Sequence, residues 1–134
     1  MKAARILVVD DNPTNLKLAV DLLEFEGYEV LRAANAEEAQ ELIQRGRPDL
    51  ILMDIQMPGM DGLTLTRKLK ADAAMRDVPI VAITSFAMKG DEKKALSAGC
   101  DGYITKPIDT RRLPAEVAKF LQRSIPGSPT RVDS

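Results

Sequence analysis

RILVVDDNPTNLKLAVDLLEFEGYEVLRA, residues 5–33, contains a complete strand–helix–strand unit. Residues 6–9 are all apolar and end abruptly at Asp10 and Asp11. An unbroken apolar run of that length suits a strand covered on both faces of its sheet. Asn12 can then cap a helix, Pro13 fits the first helical position, and Gly27 stands just past the end. Leu16, Ala19, Val20 and Leu23 recur at helical spacing and form the stripe that such a helix would bury. YEVLRA, from Tyr28, is a more polar strand suited to a sheet edge.

The same alternation continues along the chain. Residues 50–53 and 80–83 repeat the apolar run, and GYIT from Gly102 reads as a second, more polar edge strand. Asn35 with Glu38 three residues on resembles a capping box for the second helix, which stops at Gly46 before Pro48. A third helix is predicted over 63–72 and a fourth over 90–98, closed by Gly99. The fifth has Leu113, Val117, Phe120 and Leu121 on one face. Pro114 leaves its start open, because proline is comfortable only in the first turn. The order βαβαβαβαβα predicts an α/β fold of parallel strands, right-handed crossovers and helices on both faces. Ligands in such folds sit beyond the carboxyl ends of the strands, at the topological switch point.

With 134 residues the chain is expected to form one domain, spanning 1–123, with residues 124–134 as a flexible tail rich in proline, glycine and serine. A net charge of −1 argues against a nucleic-acid partner. The apolar run near the start is too short for a signal peptide or a membrane span. A single cysteine, Cys100, fits a reducing compartment, so a cytoplasmic protein is expected. Cys100 itself reads as a small buried hydrophobe rather than a redox centre.

The residues with chemistry in them fall at the predicted carboxyl ends of strands: Asp10 and Asp11 after the first, Asp54 at the third, Thr84 at the fourth, Lys106 after the fifth. Singly each has an ordinary explanation, as a cap, a turn residue or a solvated charge. Together they describe a site. Carboxylates drawn within a few ångströms repel by about 4 kcal/mol per pair at 4 Å and an effective dielectric near 20, so their convergence calls for a cation. With no histidine and one cysteine, zinc is not the natural choice. Oxygen ligands alone suit Mg²⁺. A cation, a hydroxyl and an ammonium around a nucleophilic carboxylate make an assembly for phosphoryl transfer. There is no GK[ST] or GxGxxG, so no nucleotide-binding glycine loop competes with this reading.

VVDDNPTN, LILMDIQMPGMDG, VAITSFAMKGD and GYITKPI resemble, in order and spacing, the signature blocks of CheY-like receiver domains of two-component response regulators. The likeness runs over roughly residues 5–123 and is most similar to single-domain, DivK-type regulators. It implies a flavodoxin-like (βα)₅ sheet of strand order 2-1-3-4-5. It implies that Asp54 is the phosphoacceptor, and that Asp10, Asp11, Asp54 and the backbone carbonyl of Gln56 hold Mg²⁺. Thr84 then matches the switch hydroxyl, Lys106 the lysine that contacts the phosphoryl group, and Tyr103 the aromatic residue that responds to the switch. The Lys106–Pro107 bond resembles the family's cis peptide. Ser85 occupies a position usually small in the family. The implied partners are a histidine kinase or histidine phosphotransfer protein and a downstream protein effector, and the implied role is signalling rather than turnover of an external substrate. Two rivals are a receiver excised from a hybrid kinase or larger regulator, and a haloacid-dehalogenase-type phosphotransferase. The latter carries a D-x-D pair after its first strand, where this chain has adjacent aspartates. A phosphorylation-independent scaffold is a third, opposed by the intact set of pocket residues.

Overall fold

Alternate residues of a strand serve opposite faces, so a run of apolar residues can bury a sheet from both sides only if helices cover each face. The structure, a computed structural model describing residues 4–55, 62–84, 91–105 and 108–124, is built on that rule. Strands β1 (Arg5–Val9), β2 (Glu29–Ala33), β3 (Leu50–Asp54), β4 (Ile80–Thr84) and β5 (Gly102–Thr105) alternate with helices α1 (Pro13–Phe25), α2 (Ala36–Arg45), α3 (Gly62–Ala71), α4 (Asp91–Ala98) and α5 (Arg112–Ser124). All pairings are parallel and the order is β2-β1-β3-β4-β5, as expected. The two polar strands, β2 and β5, form the edges.

Two cores follow from the pleat. Ile6, Val8, Leu50, Leu52, Val81, Ile83 and Ile104 face the buried stripes of α1 and α5, including Leu16, Leu23, Val117 and Phe120. Leu7, Val9, Ile51, Met53, Ile80 and Ala82 face α2, α3 and α4 through residues such as Ala39, Leu65, Leu69 and Ala95. Every residue of β3 and β4 is buried, which makes these the central load of the sheet.

Helix ends follow the capping chemistry. Asn12 accepts the N–H groups of Thr14 (3.0 Å) and Asn15 (3.1 Å). Asn35 accepts from Glu38 N (2.9 Å) while Glu38 Oε1 accepts from Ala34 N (2.8 Å), one residue before the reciprocal partner of a strict capping box. Gly27 adopts φ +96° after α1, a conformation that glycine takes without steric cost. The start of α5 is settled by Asp109, whose carboxylate accepts the N–H groups of Arg111 (2.9 Å) and Arg112 (3.3 Å). Those bonds, Arg111's foremost, hold the Asp109 carboxyl below its usual range. Pro114 is the third residue of α5, inside the first turn, where its missing N–H leaves no intrahelical bond unmade. Helix α3 starts and ends one residue earlier than predicted.

At the amino ends of the strands a single lysine ties several elements. Lys70 Nζ, at the end of α3, donates to the carbonyls of Arg76 (3.1 Å) and Val78 (2.9 Å) and to Asp101 Oδ2 (2.9 Å). Asp101 Oδ2 also accepts the N–H of Ile80 (2.8 Å), at the start of β4. Lys70→Met should keep much of the aliphatic stem but leave these acceptors without their ammonium, lowering unfolding free energy by about 1–3 kcal/mol. Chemical denaturation checks this, and an unchanged midpoint would mean that water replaces the ammonium without loss.

Candidate functional site

The acidic residues meet at the carboxyl edge, beside the β1/β3 switch point. Asp10 directly follows β1, where its N–H donates to the carbonyl of Ala33 (3.1 Å) at the end of β2. Asp10 Oδ1 accepts the N–H of Asn12 (2.9 Å), and Asn12 in turn caps α1, so this carboxylate is braced by the turn that starts the helix. Asp54 ends β3, aligned with Ile83 of β4. The next residue, Ile55, donates its N–H to the carbonyl of Ile83 (3.1 Å). Carboxylate oxygens of Asp10, Asp11 and Asp54 all lie within 4.8 Å of one another. Asp10 and Asp54 are 1 % and 2 % exposed, while Asp11 faces solvent.

This donor set fits a hard divalent cation. It offers carboxylate oxygens only, two of them buried, with one exposed member leaving a side open to water. At this separation like charges repel, so the three carboxylates disfavour one another's ionised forms, Asp11 least because water screens it.

Thr84 is fully buried at the end of β4, one residue beyond the level of Asp54. By strand alternation it shares the α3–α4 face with Ala82, whose register partner on β5 is Tyr103. Tyr103 is half-buried against that same core. Lys106, Pro107, Gln56 and Ser85 lie outside the described residues, as do Met57, Met60, Met88 and Lys89. Lys106 directly follows Thr105, the last residue of β5.

One feature was beyond sequence reasoning, and one agrees with it: Gly62 was missed, while Cys100 is the buried thiol that was expected. Gly62, the first residue of α3, stands so close to β3 that a Cβ there would meet the Asp54 carbonyl, Ile55 Cα (2.7 Å) and Met53 Cγ (2.9 Å). Nothing in the spacing of MPGMDG distinguishes that glycine from an ordinary turn residue. Cys100 is 5 % exposed, with its thiol donating to Thr66 Oγ1 at 3.8 Å. Burial pushes its pKa up, which suits an inert core thiol.

The family model of the response regulator receiver domain matches residues 6–118. The chain belongs to that family. The receiver is 47 % identical over 116 residues to the polar-differentiation response regulator DivK of Brucella anthropi, covering 87 % of this chain and 94 % of that protein. Among solved structures it is similar to a CheY-like receiver domain protein from Methanospirillum hungatei, at 34 % identity and TM-score 0.84, covering 92 % of this chain and 97 % of that one. It is also similar to the receiver domain of a signal transduction histidine kinase from Syntrophus aciditrophicus, at 34 % identity and TM-score 0.85, covering 94 % and 95 %. Both likenesses are high enough to carry fold and family together. Membership sets aside the haloacid-dehalogenase alternative. Among the described residues no helix is long and apolar enough to cross a membrane.

Charge repulsion in the acidic cluster makes a direct prediction. In chelated buffer, Asp11→Asn should raise the stability of the receiver by about 1 kcal/mol, a few degrees in Tm. Added Mg²⁺ should stabilise the wild type more than the variant, because binding to the folded state alone raises its stability. Thermal melts with and without the ion check both, and a variant less stable than wild type in chelator would overturn the repulsion argument.

Proposed function

We propose that this receiver accepts a phosphoryl group on Asp54 from a histidine kinase or histidine phosphotransfer protein and passes the signal to a downstream protein. The observation that carries this reading is a buried carboxylate at the end of a central strand, gathered with two others on the ligand-binding edge of a parallel sheet. Burying charge in that way opposes stability, which points to a role in chemistry.

Asp10, Asp11 and Asp54 would hold Mg²⁺, with the Gln56 carbonyl as a further ligand in keeping with the family resemblance. Bound there, the ion would offset charge on the phosphoryl oxygens. The Asp54 carboxylate supplies the electron pair for the new O–P bond, while the bond from phosphorus to the donor breaks and the donor leaves with its pair. The Lys106 ammonium, next in sequence after β5, is assigned to the phosphoryl oxygens. The product is an acyl phosphate on the protein itself, so the role is that of a signalling switch rather than an enzyme for an external substrate.

A phosphoryl group brings roughly −1.5 to −2 charge and three strong acceptor oxygens. Thr84 gains a charge-assisted hydrogen bond worth about 1.5–3 kcal/mol, enough to bias a pre-existing two-state equilibrium. Its shared sheet face with Tyr103 supports transmission toward α4 and β5, within the α4–β5–α5 face assigned to partner binding. The kinship with both a free-standing regulator and a kinase-borne receiver means that the role is stated for the domain.

A small phosphodonor with Mg²⁺ is expected to label the wild type and leave Asp54→Asn unlabelled; equal labelling of the two would move the acceptor elsewhere. Beryllofluoride with Mg²⁺, a phosphoryl analogue, tests the relay by NMR. Wild type should shift at the pocket and across α4, β5 and α5, whereas Thr84→Ala should shift at the pocket alone. An equal response of that face in both proteins would remove Thr84 from the relay.

A further inference from the structure

The end of the acceptor strand is held from two sides. On one, Ile55 N–H bonds to the carbonyl of Ile83 in β4 (3.1 Å). On the other, the first turn of α3 rests on the strand at Gly62, with no side chain between. Gly62 is not among the positive-φ glycines, which within the described residues are Gly27 and Gly99. What position 62 requires is therefore space rather than conformational freedom.

The neighbours of a Cβ at 62 decide what a methyl group would do. Two of the three are backbone, the Asp54 carbonyl oxygen and Ile55 Cα at 2.7 Å; only Met53 Cγ at 2.9 Å can rotate away. Backbone cannot yield by changing rotamer, so either α3 or the end of β3 must move. Gly102 offers a contrast. There the three atoms nearest a Cβ all belong to the ring of Phe120, with Cε2 at 2.6 Å and Cε1 at 3.2 Å, a side chain rather than backbone. Gly102 is register partner to Val81, which lies beside Leu52, two residues below Asp54 and two strands away.

We infer that Gly62 is a positioning residue for the acceptor: by letting α3 bear directly on the backbone at Asp54 and Ile55, it sets where the Asp54 carboxylate stands relative to Asp10 and Asp11. The inference rests on the reading of Asp54 as acceptor. A carboxylate nucleophile must meet phosphorus in line and beside its neighbouring charges, and misplacement by about 1 Å can lower the rate about 100-fold.

The test compares wild type, Gly62→Ala and Gly102→Ala, both variants adding one methyl group at a crowded glycine. Labelling by a small phosphodonor with Mg²⁺ is measured per folded molecule, with trimethylamine N-oxide present to hold the weaker variant folded. The Ile55 amide is followed by NMR and hydrogen exchange in the metal-free protein. Gly62→Ala should label about 10–100-fold more slowly than wild type. Its Ile55 amide should shift and exchange faster. Gly102→Ala should label at close to the wild-type rate with the Ile55 amide unmoved. Met53→Ala/Gly62→Ala removes the nearest side-chain atom the new methyl would meet and should remain slow, because the backbone contacts persist. Wild-type labelling by Gly62→Ala, an equal loss in Gly102→Ala, or recovery in the double variant would each overturn the inference. If wild type itself takes no label, the acceptor reading fails instead, and the Ile55 amide alone decides whether Gly62 positions the strand end.

Discussion

Both faces of this sheet are buried, and that single constraint governs the rest of the molecule. Leu50, Ile51, Leu52 and Met53 are each completely inaccessible, so the body of β3 has no place for a charge. An ionised carboxylate within it would lose its hydration without compensation. Polar side chains are consequently driven to strand ends, and because all five strands are parallel, their carboxyl ends share one edge. Asp10, Asp11, Asp54 and Thr84 gather there as a result of covering a parallel sheet with helices.

The two edges then take opposite characters. At the amino edge, opposite charges and polar groups are brought together. Lys70 is shared among two carbonyls and Asp101, and Asp49 Oδ2 accepts the N–H of Arg5 at 2.7 Å. Arg47 Nε reaches the carbonyl of Ala74 at 2.9 Å, joining the loops that precede β3 and β4. At the carboxyl edge, three carboxylates converge within 4.8 Å of one another, Asp10 braced by the Asn12 N–H. A fold stabilised at one end can sustain an unfavourable arrangement at the other, which is how functional sites depart from local stability rules. The same opposition makes the site responsive: a group that relieves repulsion changes the balance of the whole edge.

Alternation along the strands also places Asp54 and Thr84 on opposite faces of the sheet. Asp54 has the parity of Leu50 and Leu52, which face α1 and α5, whereas Thr84 has the parity of Ile80 and Ala82, which face α3 and α4. Tyr103 packs on that second core. On the proposed reading, that parity would let the Thr84 hydroxyl carry a change at Asp54 into the other layer of helices. Tightly packed layers respond by switching between arrangements rather than deforming smoothly.

The alternating pattern, the Asn12 and Asn35 caps, the helix stripes and the polar edge strands were all legible in the sequence, because each depends on periodicity or on neighbours a few residues apart. The strand order and the roles of the pocket residues came from a resemblance to receiver domains, and the order agrees with the structure. Other features needed the tertiary fold. Pro114 left the start of α5 open until Asp109 was seen to cap it from outside the helix. Lys70 and Asp101 are 31 residues apart, and no local pattern announces their pairing. Gly62 looks like a turn residue until α3 is laid against β3, when the absent side chain becomes the reason that the helix fits. Short-range chemistry thus determined which segments became strands and helices and which residues faced the core. Only the packing of those elements decided which atoms met, since contacts between distant segments depend on the shapes of both partners at once.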